Sequence, residues 1–461
     1  MITRMLFSRM DNSPLVLFRI FFGLLLALEC FGALVTGWVR RVLVEPEFTF
    51  SFIGFEWLQP LPGPGMYAYF VLMGLLGIAI ALGYRYRLSM LLFTLLWTGV
   101  YLMQKSSYNN HYYLLVLISG IMCFLPANAA RSLDVLRNPG LRRDSMYAYV
   151  KWVIVAQLVI VYTYAAIAKL YPGWFRLDFL QVLMERKADY PLIGELLQQQ
   201  WVHRSIALFG IAFDFLVIPL LLWRRTRWWA FGASVFFHLF NSIVLQIGIF
   251  PYLSLAFTVF FFDPETIRRR FFPNKPRPEA TPFVVPPHAG RILVVLAAYF
   301  AIQLALPLRH HLIEGDVLWT EEGHRLSWRM MLRNRQGSIR FTVRDKETGG
   351  TQLIKLDDFL TRGQIRRVAA YPDFIWQFAQ RLRRHYAAFG KDVAVYANGS
   401  VSINRQPFAP LIDPEVDLAA ETWDHLRHHR WILPPPTTME SANYRDGGPP
   451  ADTLEDSTIK R

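Results

Sequence analysis

Lys169 closes an uncharged stretch that runs from Trp152 to Ala168, and only Leu170 and Tyr171 separate it from the turn signal Pro172-Gly173. A lysine at a helix end ordinarily sends its ammonium out to the membrane interface. Here Tyr164, Tyr171 and Trp174 crowd it with aromatic surface, and no carboxylate occurs between it and Asp178. A desolvated amine without an anion is a base usable near neutral pH. Its position therefore leaves two readings, a headgroup anchor or a buried base.

Other ionisable residues sit in apolar surroundings. Glu29 lies well inside the first apolar run and Asp214 deep in the sixth; His238 is deep in the seventh, with Asn241 three residues on and so on the same helical face. A charge at a bilayer centre costs roughly 2.5–3.5 kcal/mol, so such groups need a reason. They can pair and lock helices together, or line a pocket that takes a polar headgroup inside an apolar body. A carboxylate, a histidine and an amide together favour the pocket.

The segment YNNHYYLLVL (108–117) places Asn109, Asn110 and His111 where an apolar helix begins. An asparagine there is a natural N-cap. A histidine in the first turn serves as a hydrogen-bond donor or electrophile rather than as a cation. The chain has no phosphate-binding glycine loop, nucleophile elbow or HExxH motif. The runs RHH (309–311) and HLRHH (425–429) lie in basic stretches without acidic or cysteine partners, so no metal site is expected. Cys30 and Cys123 both fall in apolar runs, which excludes a disulfide framework.

The elements that must position these residues are membrane helices. Hydrophobic residues make up 53% of the chain against 18% charged, too apolar for a soluble domain of this length. Runs long enough to cross a bilayer occur near 14–36, 65–83, 87–104, 111–126, 149–168, 204–223, 228–246 and 288–307, with a shorter ninth at 249–262. The net charge of +14 sits mostly in short loops between spans, where it sets topology, so no nucleic-acid partner is expected. With Arg4 and Arg9 cytoplasmic, nine crossings put the arginine-rich loops inside. They bring YNNHYY, Lys169, the QIGIF turn and everything after 308 to the outer face.

After Pro307 the pattern changes. SIRFTVRD and TQLIKL flank a turn at 346–350 and predict a hairpin; 357–388 carries a helical pattern; DVAVYANGSVSIN predicts a second hairpin around Asn398-Gly399. The expected protein is a polytopic α-helical membrane protein of eight or nine spans with a small C-terminal α+β extramembrane domain. Its expected domains are a membrane module over 1–307, an extracytoplasmic domain over 308–433 and a disordered tail over 434–461.

The sequence resembles the vitamin K-dependent γ-glutamyl carboxylases, in a bacterial-type form sharing the horizontally transferred transmembrane domain. SPLVLFRIFFGLLLALE (13–29) is similar to the family's first span, NNHYYL (109–114) to its NNHSYL, and AAIAKLYPGW (165–174) to its AGVKKLDADW. FFHLFNSIVLQIGIFPYLSLA (236–256) resembles FHxxNSxxFSIGMFPY, and LSWRMM (326–331), VRDKETG (343–349) and 401–423 look like further family blocks. The likeness runs in order from about residue 13 to about 433.

The resemblance implies an enzyme of the bacterial inner membrane, N-terminus cytoplasmic. It would deprotonate a vitamin K hydroquinone, couple its oxygenation by O2 to epoxide, and use the strong base so formed to remove a glutamate γ-proton before CO2 traps the carbanion. No metal is implied; the partners are a glutamate-containing peptide or protein and the lipid bilayer. Lys169 stands at the family's base and His111 at an assisting histidine; His238 and Asn241 match the FHxxN positions, and Glu29 and Asp214 fall where the family keeps acids. Asn109, Asn110, Tyr164 and Trp174 join them in the quinone pocket. Two departures are local: Ala168 replaces a frequent second lysine, and Tyr171-Pro172-Gly173 replaces Asp-Ala-Asp. The animal enzymes' paired cysteines and further β-rich region have no counterpart here. The sequence leaves the oligomeric state open, and it leaves two alternatives: quinone oxidation without carboxylation, and an isoprenoid-lipid carrier.

Overall fold

The computed structural model describes residues 2–279 and 282–436. It contains two compact units. The first takes residues up to Leu177, Lys187–Leu308 and Arg325–Met330; the second takes Asp178–Arg186, Arg309–His324 and the described chain from Met331.

The first unit is helical: α1 (Ser13–Val35), α2 (Gly65–Leu82), α3 (Tyr86–Met103), α4 (Asn110–Phe124), α5 (Tyr149–Ile167), α6 (Gln200–Leu222), α7 (Arg227–Ile243), α8 (Phe250–Phe257), α9 (Pro264–Phe271) and α10 (Ala289–Leu308). Among the described residues six helices, α1, α2, α3, α5, α6 and α10, are long and apolar enough to cross a membrane. The shorter α4, and α8 with its 3-10 extension to Phe260, are apolar too. The hydrophobic runs thus match helices, and the ninth is a short one.

Local chemistry sets the ends. Pro14 opens α1, where its missing N–H costs nothing. Gly83 closes α2 in the left-handed region at φ 64°. Asn109 caps α4, its side chain accepting from the Tyr112 N–H at 2.7 Å, as its position predicts. Helices α1 and α2 meet backbone to backbone: a Cβ on Gly23 would lie 2.4 Å from the Ala81 nitrogen, and one on Gly77 2.7 Å from that of Ala27. Without a hydrophobic drive between helices in lipid, such close approach supplies the packing. Arg19 is buried in α1 because its guanidinium donates to the carbonyls of Ala127, Ala130 and Arg131. The short strands β1 (Arg9–Asp11) and β2 (Ser145–Tyr147) pair antiparallel.

The second unit packs a four-stranded antiparallel sheet, order β4-β3-β5-β6, from β3 (Arg335–Asp345), β4 (Thr351–Leu353), β5 (Val393–Ile403) and β6 (Ala409–Pro410). The first expected hairpin is β3-β4. The second is not a hairpin: β5 runs unbroken through Asn398-Gly399, pairing Asn398 with Arg340 and Gly399 with Ile339. The expected helix over 357–388 is two, α11 (Arg362–Val368) and α12 (Pro372–Ala387), because Pro372 starts a new helix and biases Tyr371 to an extended conformation. Phe374, Phe378 and Leu382 of α12 are buried, with Phe378 edge-on to Phe341 of β3. The expected disordered tail lies, from residue 437, outside the described residues.

Candidate functional site

Lys169 does not extend outward from α5. From the turn that follows α5, its Nζ reaches back to that helix, donating to the Ala165 carbonyl at 3.0 Å, and sits 2.6 Å from Oδ2 of Asp214 on α6. The side chains are 10% and 8% exposed, which removes the headgroup-anchor reading. The expectation that no anion answers this amine fails as well. Asp214 lies 45 residues away in sequence, and the packing of α5 on α6 brings it in. Trp174 covers the pair from one side, with Nζ 5.7 Å from its ring centre and its own indole N–H on the Ala207 carbonyl of α6. Tyr164 does not cover it: its hydroxyl donates to the Leu304 carbonyl on α10.

The second group of candidates centres on Phe250, the first residue of α8. The His111 ring stacks on it at 3.7 Å between centres, and His238 of α7 meets it edge-on at 6.1 Å. His238 is 1% exposed; its Nε2 lies 3.2 Å from the Tyr162 hydroxyl, and its Nδ1 is buried without a hydrogen-bond partner among the described residues. An orphaned ring nitrogen is a costly feature that invites a polar group of a ligand. Asn241, one turn further along α7, is also buried. Phe213 joins the two groups. It is the residue before Asp214, edge-on to both Tyr162 at 6.1 Å and His238 at 5.8 Å. Among the described residues neither histidine hydrogen-bonds Lys169 or Asp214.

Four consecutive residues at the start of α4 reach four different parts of the first unit, three of them helices. The Asn110 amide donates to the Arg329 carbonyl at 3.2 Å; His111 meets Phe250; the Tyr112 hydroxyl donates to Glu29 of α1 at 2.7 Å; and the Tyr113 hydroxyl pairs with Gln303 of α10. A turn of about 100° per residue makes this fan unavoidable once all four are held. Glu29 and Asn110 are therefore spent on placing the helix that carries His111, and Asn109 on capping it.

Tyr162, Phe213 and Phe250 were not singled out from sequence. Tyr162 had a readable signal: it lies on α5 seven residues before Lys169, two helical turns back along the sequence. The histidines of HLRHH do have an acidic partner. Glu322 accepts from Nδ1 of both His428 and His429, at 2.6 and 2.7 Å, in the second unit. Among the described residues no group of three such side chains is arranged to hold a metal ion.

Among known families, the HTTM domain matches residues 7–265, more than half of the chain and all of the residues above except Gln303, Leu304, Glu322, Arg329, His428 and His429. The family described as "Vitamin K-dependent gamma-carboxylase, lumenal domain" matches residues 289–438. No solved structure matches the chain.

Proposed function

We infer the activity from the premise that the chain belongs to the HTTM family, in the vitamin K-dependent gamma-carboxylase branch that joins this membrane domain to a lumenal one. The chain is an integral membrane protein. Our reading is that it couples oxygenation of a vitamin K hydroquinone to the carboxylation of protein glutamate. The observation that carries this is the buried Lys169 amine, turned inward onto Asp214.

Bound hydroquinone, with O2, supplies the strong base and the electrons that no side chain possesses. The residues fit such a guest: an amine that can take a phenolic proton, an unpartnered His238 Nδ1 and an aromatic wall of Trp174, Phe213 and Phe250. Lys169 would accept the proton at Nζ, and the Asp214 carboxylate, 2.6 Å away, would hold the resulting ammonium. The Ala165 carbonyl accepts one Nζ–H and so restricts how the amine turns. His238 Nδ1 orients a hydroxyl or carbonyl oxygen, while Tyr162 sets the ring through Nε2. His111, flat on Phe250, presents a ring edge to the same aromatic wall. Closure by aromatic side chains excludes water, which would quench a carbanion before CO2 reached it. The placement we favour is a bacterial cytoplasmic membrane with the N-terminus inside and the lumenal-type domain outside.

The test is a paired assay in nanodiscs with vitamin K hydroquinone, O2, labelled bicarbonate and a short glutamate peptide, wild type beside Lys169→Ala. Epoxide and labelled peptide are both expected from wild type alone. Epoxide without label would reduce the activity to quinone oxidation. Bound hydroquinone with neither product would make the protein a carrier.

A further inference from the structure

A groove of about 610 Å³ lies on the first unit, away from Lys169, between α1, α7, α8 and α9. Its floor is apolar, with Leu24 and Leu28 of α1 on one side and Trp228 and Phe231 of α7 on the other. Leu24 to Leu28 covers about 6 Å of helix and Trp228 to Val235 about 10 Å, the length of a chain of several methylenes. Leu24, Leu28 and Trp228 are 47%, 65% and 65% exposed, so the walls stand open to whatever surrounds the helices.

One end differs from the rest. Arg270 and Thr266 of α9 line it. The neighbouring arginines are engaged: Arg268 pairs with Asp11, and Arg269 with Glu265 at 2.7 Å. Among the described residues no carboxylate answers Arg270. Trp228 stands at the same end, packed on Phe262 at 4.8 Å between ring centres, at the start of α7 just after the basic WRRTR turn. Tryptophan beside arginine is the signature of a membrane–water interface on the basic side. An open apolar trough that finishes in an unpaired guanidinium matches one class of amphiphile, acyl chains ending in an anion.

We propose that this groove is a binding site for an anionic diacyl phospholipid, one acyl chain lying along Leu24, Leu28 and Phe231 and the phosphate meeting Arg270 and Thr266. A quinone lacks the anion that the guanidinium requires, and a zwitterionic lipid presents the phosphate with its charge already balanced. The groove touches none of the residues assigned to catalysis, so the proposal stands apart from the carboxylase reading.

The full-length protein, purified and delipidated in a neutral detergent, would be melted with added phosphatidylglycerol, phosphatidylcholine or phosphatidylcholine carrying menaquinone. Bound lipid would be counted by native mass spectrometry. Phosphatidylglycerol is expected to raise the melting midpoint by several degrees more than phosphatidylcholine, with about one lipid retained per chain. Arg270→Gln should abolish that difference and leave the phosphatidylcholine midpoint unchanged. Leu28→Trp, which fills the trough at an exposed position, should lower retention with Arg270 intact. Equal shifts from the two phospholipids, a full phosphatidylglycerol shift in Arg270→Gln, or a menaquinone shift that Arg270→Gln abolishes would overturn the site.

Discussion

Nζ of Lys169 lies 2.6 Å from Oδ2 of Asp214, and both side chains are buried. Removing either partner strands the other's charge, which typically costs about 3–5 kcal/mol, whereas replacing both by apolar residues of similar volume is often neutral. Lys169→Met and Asp214→Leu should each lower the melting midpoint, and the double variant should recover most of the loss. Turnover should not recover: Lys169→Met and the double variant should both fall at least about 10³-fold. A double variant that regained epoxidation would show the pair to be a structural lock.

How much of this was readable follows from the range of each interaction. Spans were legible because about 20 apolar residues in a row announce themselves without partners. The Asn109 cap was legible because its acceptor and donor lie three residues apart. The anion facing Lys169 was not, since proximity in sequence was the only measure available and Asp214 arrives from another helix. Gly399 misled in a different way. Asn-Gly is a strong turn signal, yet here a Cβ would lie 3.3 Å from the Ile339 side chain, so the glycine serves close packing within a continuous strand.

Tyr162 reaches His238 at 3.2 Å, and this bond decides which way the ring presents Nδ1. Tyr162→Phe should cost about 1 kcal/mol in stability, the net worth of one hydrogen bond. A larger change is expected in the KM for hydroquinone than in kcat, because the ring loses its orientation and the base is untouched. An unaltered KM beside a large fall in kcat would move Tyr162 from positioning into the chemistry itself.

His111 does two jobs that substitution can separate. Its ring stacks on Phe250 at 3.7 Å, and its nitrogens offer polarity to the aromatic wall. His111→Phe keeps an aromatic partner for Phe250, and aromatic pairs are worth about 0.5–1.5 kcal/mol beyond area. It should therefore melt within a few degrees of wild type while losing about 10²-fold or more in turnover. His111→Ala should lose both. Wild-type turnover in His111→Phe would leave the histidine with packing alone.

The scaffold itself can be tested at the α1–α2 crossing, where no residue assigned to the chemistry takes part in the contact. A Cβ on Gly77 would fall 2.7 Å from the Ala27 nitrogen and 3.0 Å from the Gly23 carbonyl oxygen, both backbone atoms that cannot rotate aside. Gly77→Ala should therefore force the helices apart, and overpacking of this kind costs about 1–3 kcal/mol. Gly120 on α4 has nothing within 4 Å of an added Cβ, so Gly120→Ala should be neutral or slightly stabilising through helix propensity. Melting midpoints of the two variants side by side read the difference. Since Glu29 on α1 holds Tyr112 and through it the turn bearing His111, Gly77→Ala should also depress turnover more than its loss of stability accounts for. Equal melting of the two glycine variants would mean that α1 and α2 do not approach this closely in the membrane.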